Sequence, residues 1–240
     1  MSLASALPRG RRLRRLRRLS DLLLTRRGFF ALTVLALVLP LAGFFLLDRL
    51  FPFPAAALRR SAALAVADRA GEPLRFFLPA DGRFRLPVRL SELPPELPRA
   101  LVASEDQRFF RHAGIDPWAV LRAAWTDLRA RSIVSGASTI PMQIARMAEP
   151  RRRTPWAKAV ESFRAIQLER LHGKRELLEI YLNLLPYGGN VEGLGAAAYA
   201  YFGKAPERLS LGEIALLTAL PRAPLRYDPT LSSAARRAAR

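Results

Sequence analysis

Between Gly28 and Leu47 the chain reads GFFALTVLALVLPLAGFFLL, without a single charge, and its length matches the roughly 20 residues a helix needs to cross a bilayer. One transmembrane helix over 28–47 is predicted, with Pro40 tolerated because lipid-embedded helices accept a kink. Residues 48–62 contain Pro52 and Pro54 and no helical period, the pattern of a connector. From Ala63 the period shortens. Ala63 to Asp68 alternates weakly, Asp68-Arg69-Ala70-Gly71 carries turn chemistry, and Leu74 to Leu78 is again strand-like, which predicts a small β-hairpin. Asp81-Gly82 marks a further turn, and Phe84 to Val88 reads as a third strand. Beyond Pro98 apolar residues recur at three- and four-residue spacing, so the domain expected over 63–230 is mainly α. Trp156, Val160, Phe163 and Gln167 mark one helical face, and Leu177, Ile180 and Tyr181 part of another. Ser210 with Glu213 forms a capping box before an apolar helix, and residues 231–240 read as a linker that stops without a second domain.

Charge gives the membrane segment a direction. The chain of 240 residues has a formal charge of +19, and nine arginines and one aspartate fall in its first 27 residues. Arginines at 9, 11, 12, 14, 15, 17, 18, 26 and 27 precede the apolar run, so the positive-inside rule keeps residues 1–27 in the cytoplasm and places everything after Asp48 outside it. A cleaved signal peptide is the alternative, but the run exceeds a usual apolar signal segment and no small-x-small cleavage site follows. Arg11 to Leu24 is either a basic amphipathic helix on the inner leaflet or a solvated arginine run. Nucleic acid is not expected as a partner, because the sequence has no zinc spacing, no aromatic RNA-binding signature and no recognition helix. The absence of cysteine excludes disulfides and thiol chemistry, and His112 and His172 lack metal-ligand spacing.

Five strings carry chemistry. They are Glu105-Asp106-Gln107-Arg108-Phe109-Phe110-Arg111-His112-Ala113-Gly114; Gly136-Ala137-Ser138-Thr139 with Gln143 and Arg146; Lys158-Ala159-Val160-Glu161; Leu178-Glu179 with Tyr181 and Asn183, followed by Gly188-Gly189; and Gly193 to Lys204, ending Tyr201-Phe202-Gly203-Lys204. In this order they resemble the motifs of the family 51 glycosyltransferases, the peptidoglycan glycosyltransferase domains of class A penicillin-binding proteins and monofunctional transglycosylases. The resemblance covers roughly residues 60 to 230 and is nearest to the 1C branch.

The resemblance implies a lysozyme-like, mainly α fold with a smaller lobe dipping into the bilayer of the bacterial inner membrane, and a catalytic domain in the periplasm. The substrate would be lipid II. A sugar hydroxyl attacks an anomeric carbon whose leaving group is a lipid pyrophosphate, and such chemistry needs a base and positive charge. Glu105 is the expected base, and its neighbours Phe109 and Phe110 suggest an apolar setting. Asp106 is expected to hold the loop, with His112 supporting it. Lys158 and Glu161 share a helical face; by resemblance Lys158 meets the pyrophosphate, and Glu161 holds Mg²⁺ or Mn²⁺ or the leaving group's cationic partners. Ser138, Thr139, Gln143 and Arg146 are expected to contact sugar or phosphate, although Ser138 and Thr139 also suit a helix cap. Asn183 and Lys204 are further substrate-binding candidates, Asn183 being equally suited to holding a loop. Gly195 and the alanines around it suggest close helix packing.

Two departures stand out: the family's arginine before Lys158 is Ala157, for which Arg151, Arg152, Arg153 or Arg164 are candidate substitutes, and its usual Gln-Gln pair is Met142-Gln143. The competing readings are a lytic, lysozyme-like enzyme and a non-catalytic membrane scaffold that recruits other cell-wall synthesis and division proteins. No transpeptidase serine motif occurs in the chain.

Overall fold

The computed structural model describes residues 26–130 and 137–222. Expectations for the basic segment before Arg26, for Gly136 and for the linker after 230 lie outside the described residues. The chain divides into two compact units, Met1–Pro52 and Phe53–Arg240. In the first, helix α1 (Arg26–Leu50) runs through Pro40 without a break, and Phe29–Leu50 has a mean hydropathy of 2.6, long and apolar enough to cross a membrane.

The second unit is mainly α with small two-stranded sheets. β1 (Leu64–Ala67) and β2 (Pro73–Phe77) form the expected antiparallel hairpin. Its turn is closed by Asp68, whose Oδ1 accepts from the N–H groups of Ala70 and Glu72, and by Gly71 at φ 85°. The third strand does not form. Phe84 makes only an isolated bridge with Val191, and the extended strip that follows is pegged by side chains: Asn183 holds the backbone of Val88 and Glu179 that of Leu90. A ladder needs a continuous backbone partner, and here side chains take that place.

Seven helices of the described residues complete the unit: α2 (Glu96–Glu105), α3 (Pro117–Ala130), α4 (Ile140–Ala148), α5 (Pro155–Leu171), α6 (Lys174–Leu184), α7 (Leu194–Phe202) and α8 (Leu211–Ala219), with β3 (Pro186–Gly188) and β4 (Val191–Glu192) between α6 and α7. α4 lies against both α5 and α6, and α2 against α8. Leu97, Leu101, Ile140, Ile144, Leu168, Leu177, Tyr181 and Leu217 fill the core with almost no exposure, each large apolar side chain contributing roughly 1.5–3 kcal/mol by leaving water. Phe53, from the stretch read as connector, is buried in this same core.

The α5 face differs from expectation. Trp156 is exposed, and the buried positions are Ala157, Glu161, Ala165, Gln167 and Leu168. Small residues let α5 approach α4 closely, and the side chain turned inward at the centre of that face is a carboxylate, for a reason given by the site. The capping box at Ser210 forms as expected, Glu213 Oε2 accepting from the Ser210 N–H and hydroxyl at 2.8 Å each.

Candidate active site

α2 ends at Glu105, where Asp106 leaves helical geometry with φ −156°. Asp106 is buried and accepts from the Ile140 N–H at 3.0 Å and from His112 Nε2 at 3.0 Å. The carboxylate thus caps α4 at its positive end and confirms the loop-holding role expected of it and of His112. Glu105, one residue earlier, is half-buried, and its Oε2 accepts from the Gln143 side-chain amide at 3.1 Å. Gln143 Oε1 in turn accepts from the Tyr181 hydroxyl at 3.0 Å. The apolar setting expected for Glu105 is not what the chain builds: Phe109 is in the core under the Lys174 ammonium, and Phe110 is exposed. The cleft beside Glu105, about 280 Å³, is lined by Ser104, Gln107, Arg108, Arg122 and Ser138 among others.

A cationic cluster adjoins this cleft through Ser138, whose hydroxyl oxygen accepts from the Lys158 ammonium. Arg146 donates to both oxygens of buried Glu161, from Nε at 2.7 Å and Nη2 at 2.8 Å. That bidentate pair fixes the guanidinium, and the hydrogen bonds it donates to Glu161 raise the arginine's pKa. Burial, with the nearby charge of Arg146 as a smaller cause, lowers the Lys158 pKa against the opposing pull of Glu161. Arg146 and Lys158 thus both stand beside Glu161. Of the candidate substitutes for the arginine missing at Ala157, Arg151 and Arg164 pair with Glu149, and Ala157 itself is buried.

Glu161 consequently holds a cation of the protein, the Arg146 guanidinium. The Mg²⁺ or Mn²⁺ site does not fit: both Glu161 oxygens are engaged by Arg146, Lys158 stands nearby, and among the described residues no group of three or more His, Cys, Asp or Glu side chains could hold a metal ion.

A depressed lysine pKa has opposite consequences for activity and stability. If charged Lys158 meets the substrate's phosphates, kcat/KM should fall as pH rises through a value below the ordinary 10.5. Lys158→Arg should move that alkaline limb upward, because a guanidinium keeps its proton. The unfolded chain binds this proton more tightly than the folded one, so the same rise in pH up to about 10.5 increases the group's contribution to stability. Paired rate and melting profiles between pH 7 and 11 check both signs.

Three residues considered as substrate ligands are engaged within the protein, Thr139 and Asn183 in the structural roles also open to them, helix cap and loop support, and Lys204 in an ion pair. The Thr139 hydroxyl is buried, donates to the Gly114 carbonyl at 2.5 Å and accepts from the Met142 N–H, which makes it the cap of α4. Asn183 accepts from the Val88 N–H at 2.9 Å and donates to the carbonyls of Val88 at 2.9 Å and Glu179 at 3.0 Å. Its polar groups are spent on backbone, that of the strip and that of its own helix. Lys204 pairs with Glu213 at 2.8 Å, tying the end of α7 to the start of α8. Asn183→Ala should then destabilise by about 1–3 kcal/mol, since it strands backbone groups of Val88, while KM stays unchanged; thermal melts and initial rates on one preparation test the pair of outcomes.

Tyr181 and Tyr187 had not been read as site residues. Tyr187 is buried, and burial first, then the charge of Glu105, push its phenol well above the ordinary value. Tyr181 occupies a core face, and the available signal was its hydroxyl, because a buried phenol needs a polar partner.

The family described as Transglycosylase matches residues 71–240, most of the second unit. This chain belongs to the transglycosylase family. It is 41% identical over 207 residues to penicillin-binding protein 1C of Escherichia coli (strain K12), covering 86% of this chain and 27% of that protein. Penicillin-binding protein 1A of the same organism is 44% identical over 150 residues, 62% of this chain and 18% of the relative. The biosynthetic peptidoglycan transglycosylase of Laribacter hongkongensis is 41% identical over 151 residues, 62% of this chain and 65% of the relative. The chain thus spans about a quarter of the length of penicillin-binding protein 1C, 27% by the match. A crystal structure of penicillin-binding protein 1A from Haemophilus influenzae aligns at 20% identity with a TM-score of 0.33, covering 75% of this chain and 20% of that one, too loose an overlap to bear on the fold. Glu105, Ser138, Gln143, Arg146, Lys158 and Glu161 all fall inside the matched transglycosylase region.

Proposed function

We propose that this chain polymerises lipid II into β-1,4-linked glycan strands with release of undecaprenyl pyrophosphate. The observation that carries the reading is the arrangement of one cleft: Glu105 and Ser138 both line it, and Ser138 holds the Lys158 ammonium beside the Arg146–Glu161 pair. A base and paired cations are thereby supplied to one substrate.

In this mechanism the Glu105 carboxylate accepts the proton of the acceptor's 4-hydroxyl as that oxygen bonds to the anomeric carbon. The bond from that carbon to the pyrophosphate oxygen breaks on the opposite face, which inverts the centre. The electron pair leaves with the diphosphate, whose charge Lys158 and Arg146 neutralise. Arg146 is held for this task by Glu161.

Helix α1 anchors the chain in the bacterial inner membrane in this reading, with the transglycosylase unit in the periplasm; the hydropathy of Phe29–Leu50 and the arginines before it support that orientation. Contact of the second unit with lipid is supported by α3, where Trp118, Leu121, Trp125 and Leu128 are exposed at helical spacing on one face, with Arg129 over the Trp125 ring. The nascent strand and the membrane are the partners this chemistry requires, and other cell-wall synthesis and division proteins are further candidates.

Incubation of the full chain with labelled lipid II tests the reading. Long glycan and free undecaprenyl pyrophosphate are the expected products. Release of anhydro or reducing-end fragments from preformed wall, with no polymer, would establish a lytic enzyme instead.

A further inference from the structure

We infer that Tyr181 and Gln143 form a positioning pair that orients the Glu105 carboxylate, with Gln143 acting through Glu105 and not as a sugar ligand. The inference rests on the glycosyltransferase reading of the cleft and adds to it how the base is aimed.

Both ends of the Gln143 amide are engaged, Nε2 by Glu105 at 3.1 Å and Oε1 by Tyr181 at 3.0 Å. An ionised carboxylate only accepts, so the amide must present its NH₂ group to Glu105. That orientation turns Oε1 toward α6, where the Tyr181 hydroxyl donates to it. The flipped amide would set one oxygen against another. Tyr181 is fully buried, so its ring and hydroxyl have little freedom, and it transmits the rigidity of the core to the amide.

The arrangement also answers a local weakness of the base. Glu105 is the last residue of its helix and carries a side chain with several rotatable bonds, which is costly to hold in one rotamer. α4 meets this helix end twice: Asp106 accepts from the Ile140 N–H, and one turn later Gln143 donates to Glu105. The backbone contact sets the distance between the helices, and the side-chain contact selects which way the carboxylate faces. A misdirected base loses turnover out of proportion to the displacement.

A double-mutant cycle on the full chain, read by lipid II polymerisation and thermal melting, tests this. Tyr181→Phe keeps the buried ring and removes only the hydroxyl, and Gln143→Met keeps side-chain length and removes the amide. Tyr181→Phe should lower kcat by about fivefold and Gln143→Met by about thirtyfold, with KM within about twofold in both. Because Tyr181 acts through Gln143, adding Tyr181→Phe to Gln143→Met should cost no further turnover. Losses that multiply, a rise in KM with kcat intact, or a Tyr181→Phe variant at the wild-type rate would each overturn the pair. A fall in rate that only tracks lost folded protein in the melts would do so as well. Glu105→Gln, run alongside, separates the two claims: if it is inactive while Tyr181→Phe is unimpaired, only the positioning role falls, and if it polymerises at the wild-type rate, the functional reading falls and takes this role with it.

Discussion

Glu105→Gln is expected to lower lipid II polymerisation by about 10²- to 10⁴-fold, the range over which a positioned general base contributes. The substitution is close to isosteric. A glutamine carbonyl at position 105 can still accept the Gln143 N–H that Glu105 Oε2 accepts at 3.1 Å, and the neighbouring cap from Asp106 to Ile140 is untouched. What disappears is the capacity to take the acceptor's proton. The melting temperature and the KM for lipid II should therefore stay near those of the wild type while kcat collapses. Measured as initial rates of labelled lipid II consumption, a variant retaining more than about a tenth of wild-type turnover would remove Glu105 from the base's role. A cellular function that survives in such an inactive variant would instead support a scaffold. Glu105→Asp should also be severely impaired, because retraction by one methylene breaks the contact with Gln143.

The second large effect concerns stability and comes from a position with no chemistry. Gly195 lies in the first turn of α7, and a Cβ added there would sit 2.2 Å from the Leu86 carbonyl oxygen and 2.8 Å from Val88 Cγ1. The clash is with backbone, and that backbone cannot step aside, because Asn183 fastens Val88 by both its N–H and its carbonyl. Gly195→Ala should cost more than about 3 kcal/mol, at the upper end of overpacking, and lower the melting temperature by roughly 10 °C. Loss of polymerisation would follow loss of folded protein. Gly212→Ala is the matched control, since a Cβ there meets nothing within 4 Å and alanine is the better helix former by roughly 1 kcal/mol. Equal melting temperatures for the two variants would contradict the packing argument.

The same Asn183 illustrates how far sequence could be read. Its spacing from Glu179 placed the two on one helical face, which is correct, but the face meets the strip at Val88 and Leu90 and not a ligand. Nothing within four residues of Asn183 reveals a partner 95 positions away. Lys204 shows the converse, since Glu213 was already assigned to a capping box that uses part of its carboxylate, and the ammonium takes up the rest. Of the face assigned to α5, Gln167 is buried but Trp156 is exposed, because close approach to α4 selects Ala157 and Ala165 and turns Glu161 inward to Arg146.

Features governed by neighbours in the chain were legible from one sequence: the apolar run of α1, the hairpin closed at Asp68, the capping box at Ser210 and the order of motifs that marks a transglycosylase. Each depends on period, turn chemistry or spacing over a few residues, and these survive in a linear reading. The roles inside the cleft depended on contacts over 38 positions, from Glu105 to Gln143 and from Gln143 to Tyr181, and on the pairing of Arg146 with Glu161. A polar side chain's role follows from which donor or acceptor reaches it, and packing of α2, α4, α5 and α6 settles that. Tertiary structure therefore divided the motif residues into those facing the cleft and those holding it together, a division that residue type and spacing leave open.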